Sequence, residues 1–505
     1  MPSRHSISSG ASSGDDDVRL TGRGKTTSKK NAMTALADLT GIDLLACFRD
    51  KSLSPVEYCI WLERQIAAWE PALQALYLYR PEMARAEAKA SEARWMRQAP
   101  IGPLDGVPVT VKELIATAGD PIPLGSAATE LVPAREDAPS VARLREDGAI
   151  VFAKTTCPDY GMLSSGLSSF HPLTRNPWDV SKSPGGSSSG SGAAGAAGYG
   201  PLHLGTDIGG SIRLPAGWCA LFGLKPSQGR VPIDPFYLGR VAGPMTRTVA
   251  DSVAMMATLS RPDWRDGMSL PPQAIDWFSQ ATGVKGLRIG LMRDAGCGLP
   301  VEAEVREAVA AAARQFAEAG AIISEVAPVL TREMLDGLDR FWRARMWAEL
   351  AAFDAPRRAK VLPYILQWAE KGADVSGVDV IRGYHQTNEM RKAAALLFRE
   401  VDLVLSPTSP VVAFPAEWAS PLNDPQRPFE HIAFTLPWNM AENPAASINC
   451  GFTRSGLPIG LQIIGPRFAD LNVLQVAKLY ESWRGPIVWP QPPVNERSSP
   501  SFRRA

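Results

Sequence analysis

Residues 183–213, SPGGSSSGSGAAGAAGYGPLHLGTDIGGSIR, constrain the fold of this chain more than any other stretch. The run is too polar and too flexible to be a core. Its pattern is too ordered for a linker, because small apolar residues and glycine alternate with hydroxyls and the run closes on a charged pair, Asp207 and Arg213. Segments of this composition let backbone approach another group very closely, since glycine carries no Cβ to hold it away. The stretch therefore reads as an active site around which the rest of the chain is arranged.

Three short motifs overlap within it. Gly190-Ser-Gly192-Ala-Ala-Gly195 satisfies G-x-G-x-x-G, but a dinucleotide fingerprint needs a strand just before it, and SKSPGGSSS is not one. Gly186-Ser-Ser188-Ser-Gly190 satisfies G-x-S-x-G, but a nucleophile elbow also needs a preceding strand and a late histidine base. His385 and His431 are late in the chain, yet neither stands in a catalytic context. The third reading takes a serine hydroxyl as nucleophile, with a base and an oxyanion site beside it. Ile208-Gly209-Gly210-Ser211 offers consecutive backbone N–H groups with no bulky side chain at 209 or 210. With only five histidines, lysine is the natural alternative base. Lys112 directly follows alternating Val107, Val109 and Val111, and burial at such a strand end would lower its pKa towards neutrality. From the strand pattern alone, a surface lysine at a strand end is the simpler reading.

The rest of the chain favours an α/β core. Ser54-Pro55-Val56-Glu57 is a capping box that opens a helix, within a segment, 34–97, that reads as helical. Strands are expected at 107–111, 150–153, 287–292, 321–326, 401–405 and 458–465. Helices are expected at 79–97, 138–148, 249–260, 301–319, 332–400 and 471–484. The charged face of 79–97 reads as solvated. Residues 1–33 lack the apolar content to offset ordering and are expected to be disordered, and the Pro-rich tail, 487–505, to be loose. The net charge of +1 gives no electrostatic case for nucleic acid or an anionic membrane surface as partner. No apolar run reaches the roughly 18 residues of a transmembrane helix. With no secretory signal and six scattered cysteines, a reducing cytoplasmic location is expected.

Lys112 in GVPVTVKEL, SPGGSSSGS at 183–191 and GTDIGGSIRLPA at 205–216 together resemble the amidase signature family. The spacing fits as well: 75 residues from Lys112 to Ser187 and 24 from Ser187 to Ser211. The likeness continues in RNPWD (175–179), GPMTRTVAD (243–251), DLVLSPTSP (402–410) and GLPIGLQIIGPRF (456–468), and so spans about 35–484. It implies an α/β fold, a single large domain at 34–486 with a mixed central β-sheet covered by helices on both faces. The helical segment 332–400 would be the variable, substrate-selecting part.

The resemblance also implies roles. Ser211 would be the nucleophile, Ser187 the bridging serine after a cis peptide, and Lys112 the base. The amides of Ile208, Gly209, Gly210 and Ser211 would form the oxyanion hole. Ser188, Asp207 and Arg213 would support the triad. One departure is Ser189, where the family commonly has glycine. Met162, Phe170 and Trp438 are candidate pocket residues on position alone, and an aromatic-rich lining of low charge is expected, suited to aryl or small apolar amides. The implied reaction is hydrolysis of a carboxamide to an acid plus ammonia or amine, with no metal or other cofactor and no nucleic-acid or membrane partner; a homodimer is left open. The alternative is a glutaminase-type subunit of a tRNA-dependent amidotransferase, which would need a basic group in the pocket.

Overall fold

A computed structural model describes residues 36–493. The expected disorder of 1–33 therefore lies outside the described residues, as does most of the C-terminal tail. Eleven strands form one sheet: β1 (Leu76–Tyr79), β2 (Pro108–Lys112), β3 (Ile150–Thr155), β4 (Leu202–Asp207), β5 (Phe222–Lys225), β6 (Val241–Thr246), β7 (Arg288–Leu291), β8 (Ile322–Glu325), β9 (Leu403–Pro407), β10 (Ala445–Phe452) and β11 (Pro458–Ile464). Their spatial order is β1-β3-β2-β4-β6-β5-β10-β11-β9-β7-β8. Pairing is parallel for β2 with β3 and β4 and for β7 with β8 and β9. It is antiparallel elsewhere, so the sheet is mixed.

Every residue of β2, β3, β4, β9 and β11 is buried. A strand buried on both faces requires cover on both sides, and helices supply it. Helix Pro55–Leu73 begins at the expected capping box, with Glu57 N donating to Ser54 Oγ (3.1 Å) and Ser54 N donating to Glu57 Oε2 (2.8 Å). Helix Pro81–Met96 turns Ala84, Ala88 and Ser91 inward and its charges outward, except that Arg94 reaches the buried Asp105 carboxylate at 2.6 Å.

The Gly/Ser run forms helix Ser189–Ala197, whose nine residues are all buried. The small side chains are a packing requirement: a Cβ on Gly190 would lie 2.2 Å from the Ala75 carbonyl oxygen. Strands β1, β4, β5, β6 and β10 do not stand out in the sequence. β1 is enclosed in the segment read as helical, and LHLGTD, FGLK, VAGPMT and AASINCGF mix glycine, proline and polar residues into what becomes interior. The segment 332–400 is helical but broken, as Arg332–Leu350, Ala355–Arg358, Pro363–Glu370 and Gly377–Glu400. It packs its apolar face with Leu214, Trp218, Val404 and Ile464 in a second core cluster, beside the cavity described below. At the start of the tail Trp489 lies 4.2 Å from the Arg247 guanidinium and 6.1 Å from the Trp178 ring.

Candidate active site

Strands β2 and β4 lie side by side and parallel, with Val111 opposite Leu204. Lys112 ends β2, fully buried, and its Nζ lies 2.7 Å from Ser187 Oγ and 3.0 Å from Thr206 Oγ1 of β4. Burial pushes the Lys112 ammonium down from 10.5 to about 8, and the Arg240 guanidinium acts in the same direction. The Gly186–Ser187 peptide is cis. Ser188 holds the neighbouring backbone: its N–H donates to the Ser211 carbonyl (3.2 Å), and its Oγ donates to the Thr206 carbonyl (3.2 Å). An amine of lowered pKa buried against a hydroxyl is a unit that can take and return a proton.

The loop after β4 is built around Asp207. Its carboxylate accepts from the backbone N–H of Gly210 (2.8 Å), Ile212 (3.1 Å) and Arg213 (3.3 Å). It also accepts from Arg213 Nε (3.0 Å), Arg213 Nη2 (2.9 Å) and Asn439 Nδ2 (2.9 Å). Burial alone would raise this carboxyl. The adjacent Arg213 guanidinium, the Asn439 amide and the charge of Lys225 together outweigh burial and hold it well below the ordinary value. Arg213 is itself fully buried and donates onward to the Thr435 carbonyl (2.9 Å), to Gln462 Oε1 (2.7 Å) and to Asn439 Oδ1. Asp207 and Arg213 therefore shape the loop that presents Ser211.

One expected oxyanion donor is spent here. The Gly210 N–H goes to Asp207, which leaves the amides of Ile208, Gly209 and Ser211 for the cavity. Gly210 has a conformational task instead. Its φ is +130°, and a Cβ would lie 2.6 Å from Thr435 Oγ1. Gly210→Ala is expected to keep the fold and lower kcat by at least about 10²-fold, because a displacement near 1 Å costs that much at a reacting centre. Steady-state kinetics beside a thermal melt decide it, and a variant with unchanged kcat removes this role.

Ser187, Ile208, Gly209 and Ser211 face a cavity of about 510 Å³. Of the three expected pocket residues, only Met162 lines it. Phe170 packs instead edge-on against Tyr77 (5.6 Å) and His171 (5.0 Å). Trp438 is fully buried against Phe398, while its chain neighbour Asn439 is the residue that reaches the loop. From the helical segment, Trp342, Met346 and Tyr364 line the cavity, whereas Trp368 is core and donates to Asp339. The lining is not low in charge: Arg240, Arg345, Asp234 and Glu349 belong to it. His431 also lines it, but burial pushes its imidazole down to about 3, and its ring stacks on Trp218. Two further residues carry a signal in the sequence. Gln462 is the lone polar residue in PIGLQII, and Thr206 directly precedes Asp207 in a run that alternates as Leu202, His203, Leu204.

A family model for Amidase matches residues 60–474. The chain belongs to the amidase signature family, whose members are amide hydrolases. It is 35% identical over 491 residues to the glutamyl-tRNA(Gln) amidotransferase A subunit from Chloroflexus aggregans, covering 90% of this chain and 96% of that protein. It is 31% identical over 457 residues to an acylamidase of Rhodococcus erythropolis, covering 88% and 95%. Its fold is similar to the crystal structure of a bacterial aryl acylamidase of the amidase signature family. The TM-score is 0.81 at 29% identity, over 88% of this chain and 96% of that one. Among the described residues no helix is long and apolar enough to cross a membrane.

Proposed function

We propose that the protein hydrolyses small apolar or aryl amides through an acyl-enzyme on Ser211. Ser211 Oγ attacks the carbonyl carbon and gives its proton to Ser187 Oγ, which passes its own to the neutral Lys112 Nζ. The oxyanion is met by the amides of Ile208, Gly209 and Ser211. As the C–N bond breaks, the proton returns from Lys112 through Ser187 to the leaving nitrogen, which departs as ammonia or amine. Water, deprotonated by the same relay, then attacks the ester and releases the acid and free Ser211. The observation that carries this reading is the 2.7 Å contact between the buried Lys112 Nζ and Ser187 Oγ, beside the loop of Ser211.

The second reading is a glutaminase subunit working with partner chains on charged tRNA. The likeness to glutamyl-tRNA(Gln) amidotransferases favours it, as do the guanidinium groups in the cavity, which supply the basic group that reading requires.

The test is a panel of aryl acetamides, anilides, aliphatic amides and glutamine, assayed for ammonia or amine with hydroxylamine present. Turnover of non-glutamine amides, with part of the product diverted to hydroxamate, is the expected result. Turnover of glutamine alone selects the second reading. Hydrolysis with no hydroxamate rejects the acyl-enzyme.

A further inference from the structure

One wall of the cavity carries charge that the hydrolytic relay does not use. Arg240 precedes β6, and Arg345 lies on helix Arg332–Leu350, one turn from Trp342 and Glu349. The two meet across Tyr237, whose ring centroid lies 4.0 Å from the Arg345 guanidinium carbon and 5.5 Å from that of Arg240. All three line the same cavity as Ser187 and Ser211.

The position of Arg240 is fixed. The Gln228 side chain is nearly fully buried; its Nε2 donates to the Tyr237 carbonyl and its Oε1 accepts the Gly239 N–H, both at 3.0 Å. Asn439 Nδ2 donates to the Gly239 carbonyl and to Asp207 Oδ1, both at 2.9 Å. One amide side chain thus ties the backbone just before Arg240 to the loop of Ser211.

Among the described residues neither guanidinium has a carboxylate within hydrogen-bond range. Arg240 forms no ion pair among the described residues, and its one hydrogen bond there goes to the Pro235 carbonyl at 2.7 Å. Asp234, exposed and also part of the cavity lining, makes no contact with Arg240 and acts on it through space. Arg345 has Glu349 at 3.8 Å, beyond hydrogen-bond range and with both side chains partly in solvent, where such a contact contributes little. Asp207 is committed to Arg213. Burial pushes Arg240 down to about 10, and the charge of Arg345 pushes it the same way, so the two cations repel each other.

A planar fork with free donors beside a second cation is the arrangement that recognises a carboxylate. Resting on the amide-hydrolase reading, we propose that Arg240 and Arg345 form an anion-recognition subsite. It selects amides whose non-reacting end carries a carboxylate, while Trp342, Met346 and Met162 cover the apolar stem between the two ends.

Three matched probes test this: the monoamide of adipic acid, neutral hexanamide and cationic 6-aminohexanamide. Calorimetric binding to Ser211→Ala protein reads recognition without turnover, and kcat/KM of the unsubstituted enzyme reads selectivity. The anionic amide is expected to bind about 10- to 100-fold more tightly than hexanamide, the range of hydrogen bonds to a charged group. Adding Arg345→Met or Arg240→Gln should shrink that margin to about threefold or less. Arg345→Lys keeps the charge without the fork and should retain a reduced margin, and Arg345→Glu should bring 6-aminohexanamide to the front. Thermal melts verify each fold. Equal binding of the anionic and neutral amides overturns the proposal, as does an equal loss for both in the arginine variants. Turnover of all three probes without preference also rejects the subsite and leaves the hydrolase reading intact. A binding margin without turnover of any amide does the reverse.

Discussion

Replacing Lys112 by alanine is expected to lower kcat/KM by about 10⁴-fold or more, and Ser211→Ala by a comparable amount. Members of a catalytic unit are not additive, so the double variant should be little worse than either single one. The reason is geometric. Among the described residues Nζ is the only basic nitrogen that contacts Ser187, at 2.7 Å, and His431, the one histidine in the cavity wall, is a stacked, buried ring. The proposed relay begins with neutral Lys112, whose pKa burial lowers to about 8. The sign follows: below that value Lys112 is protonated and cannot accept, so kcat/KM rises with pH through about 8 and levels off above it. Lys112→Arg keeps the positive charge at every accessible pH and should be as inactive as the alanine variant. A rate that falls as pH rises through 8, or an active arginine variant, would exclude Lys112 as the base.

The second large effect belongs to Arg213. Arg213→Met removes the cation from a fully buried carboxylate and orphans the Thr435 carbonyl and Gln462 Oε1 as well. Breaking one partner out of a buried pair costs about 3–5 kcal/mol, most of it the uncompensated charge left behind. Unfolding in urea should shift to lower concentration, and activity should fall with it, because three backbone N–H groups of the Ser211 loop hang on the same carboxylate. Asp207→Asn placed in the Arg213→Met background removes the stranded charge and should recover part of the lost stability. If the double variant is as unstable as the sum of the two singles, the pair is not coupled and this account fails.

Much of the site is legible in the sequence because it rests on small residues. Ser187, Ser188, Gly209, Gly210 and Ser211 stand in runs whose composition makes sense only where backbone must come close, and Lys112 ends the clearest strand of the first half. Residues that act across the fold are not legible in this way. Asn439 looks like an ordinary polar residue, and the polar Thr206 and Gln462 stand out within their strands but point to no partner until the sheet order places β2 against β4 and β11 near the helix after Asp207. The choice of Trp438 fails for the same reason: residue size is visible in a sequence, whereas the direction a side chain takes from a short helix is set by its packing partners. Arg240 lies in a loop with no periodicity, and nothing before the fold joins it to Arg345, 105 positions later in the chain.

The clamp on the Ser211 loop also orders events in time. Its donors and acceptors at Thr435, Asn439 and Gln462 lie 222 to 249 positions beyond the residues they hold. Contacts of such separation close late, after the loop entropy between them has been overcome. During synthesis Lys112, Ser187 and Ser211 leave the ribosome long before β11 exists, and in that interval the Asp207–Arg213 pair has none of these partners. Reactivity is therefore the last property this chain acquires: a nascent chain that has emerged only to β9 has its serines and lysine in place along the backbone but no loop set to present them.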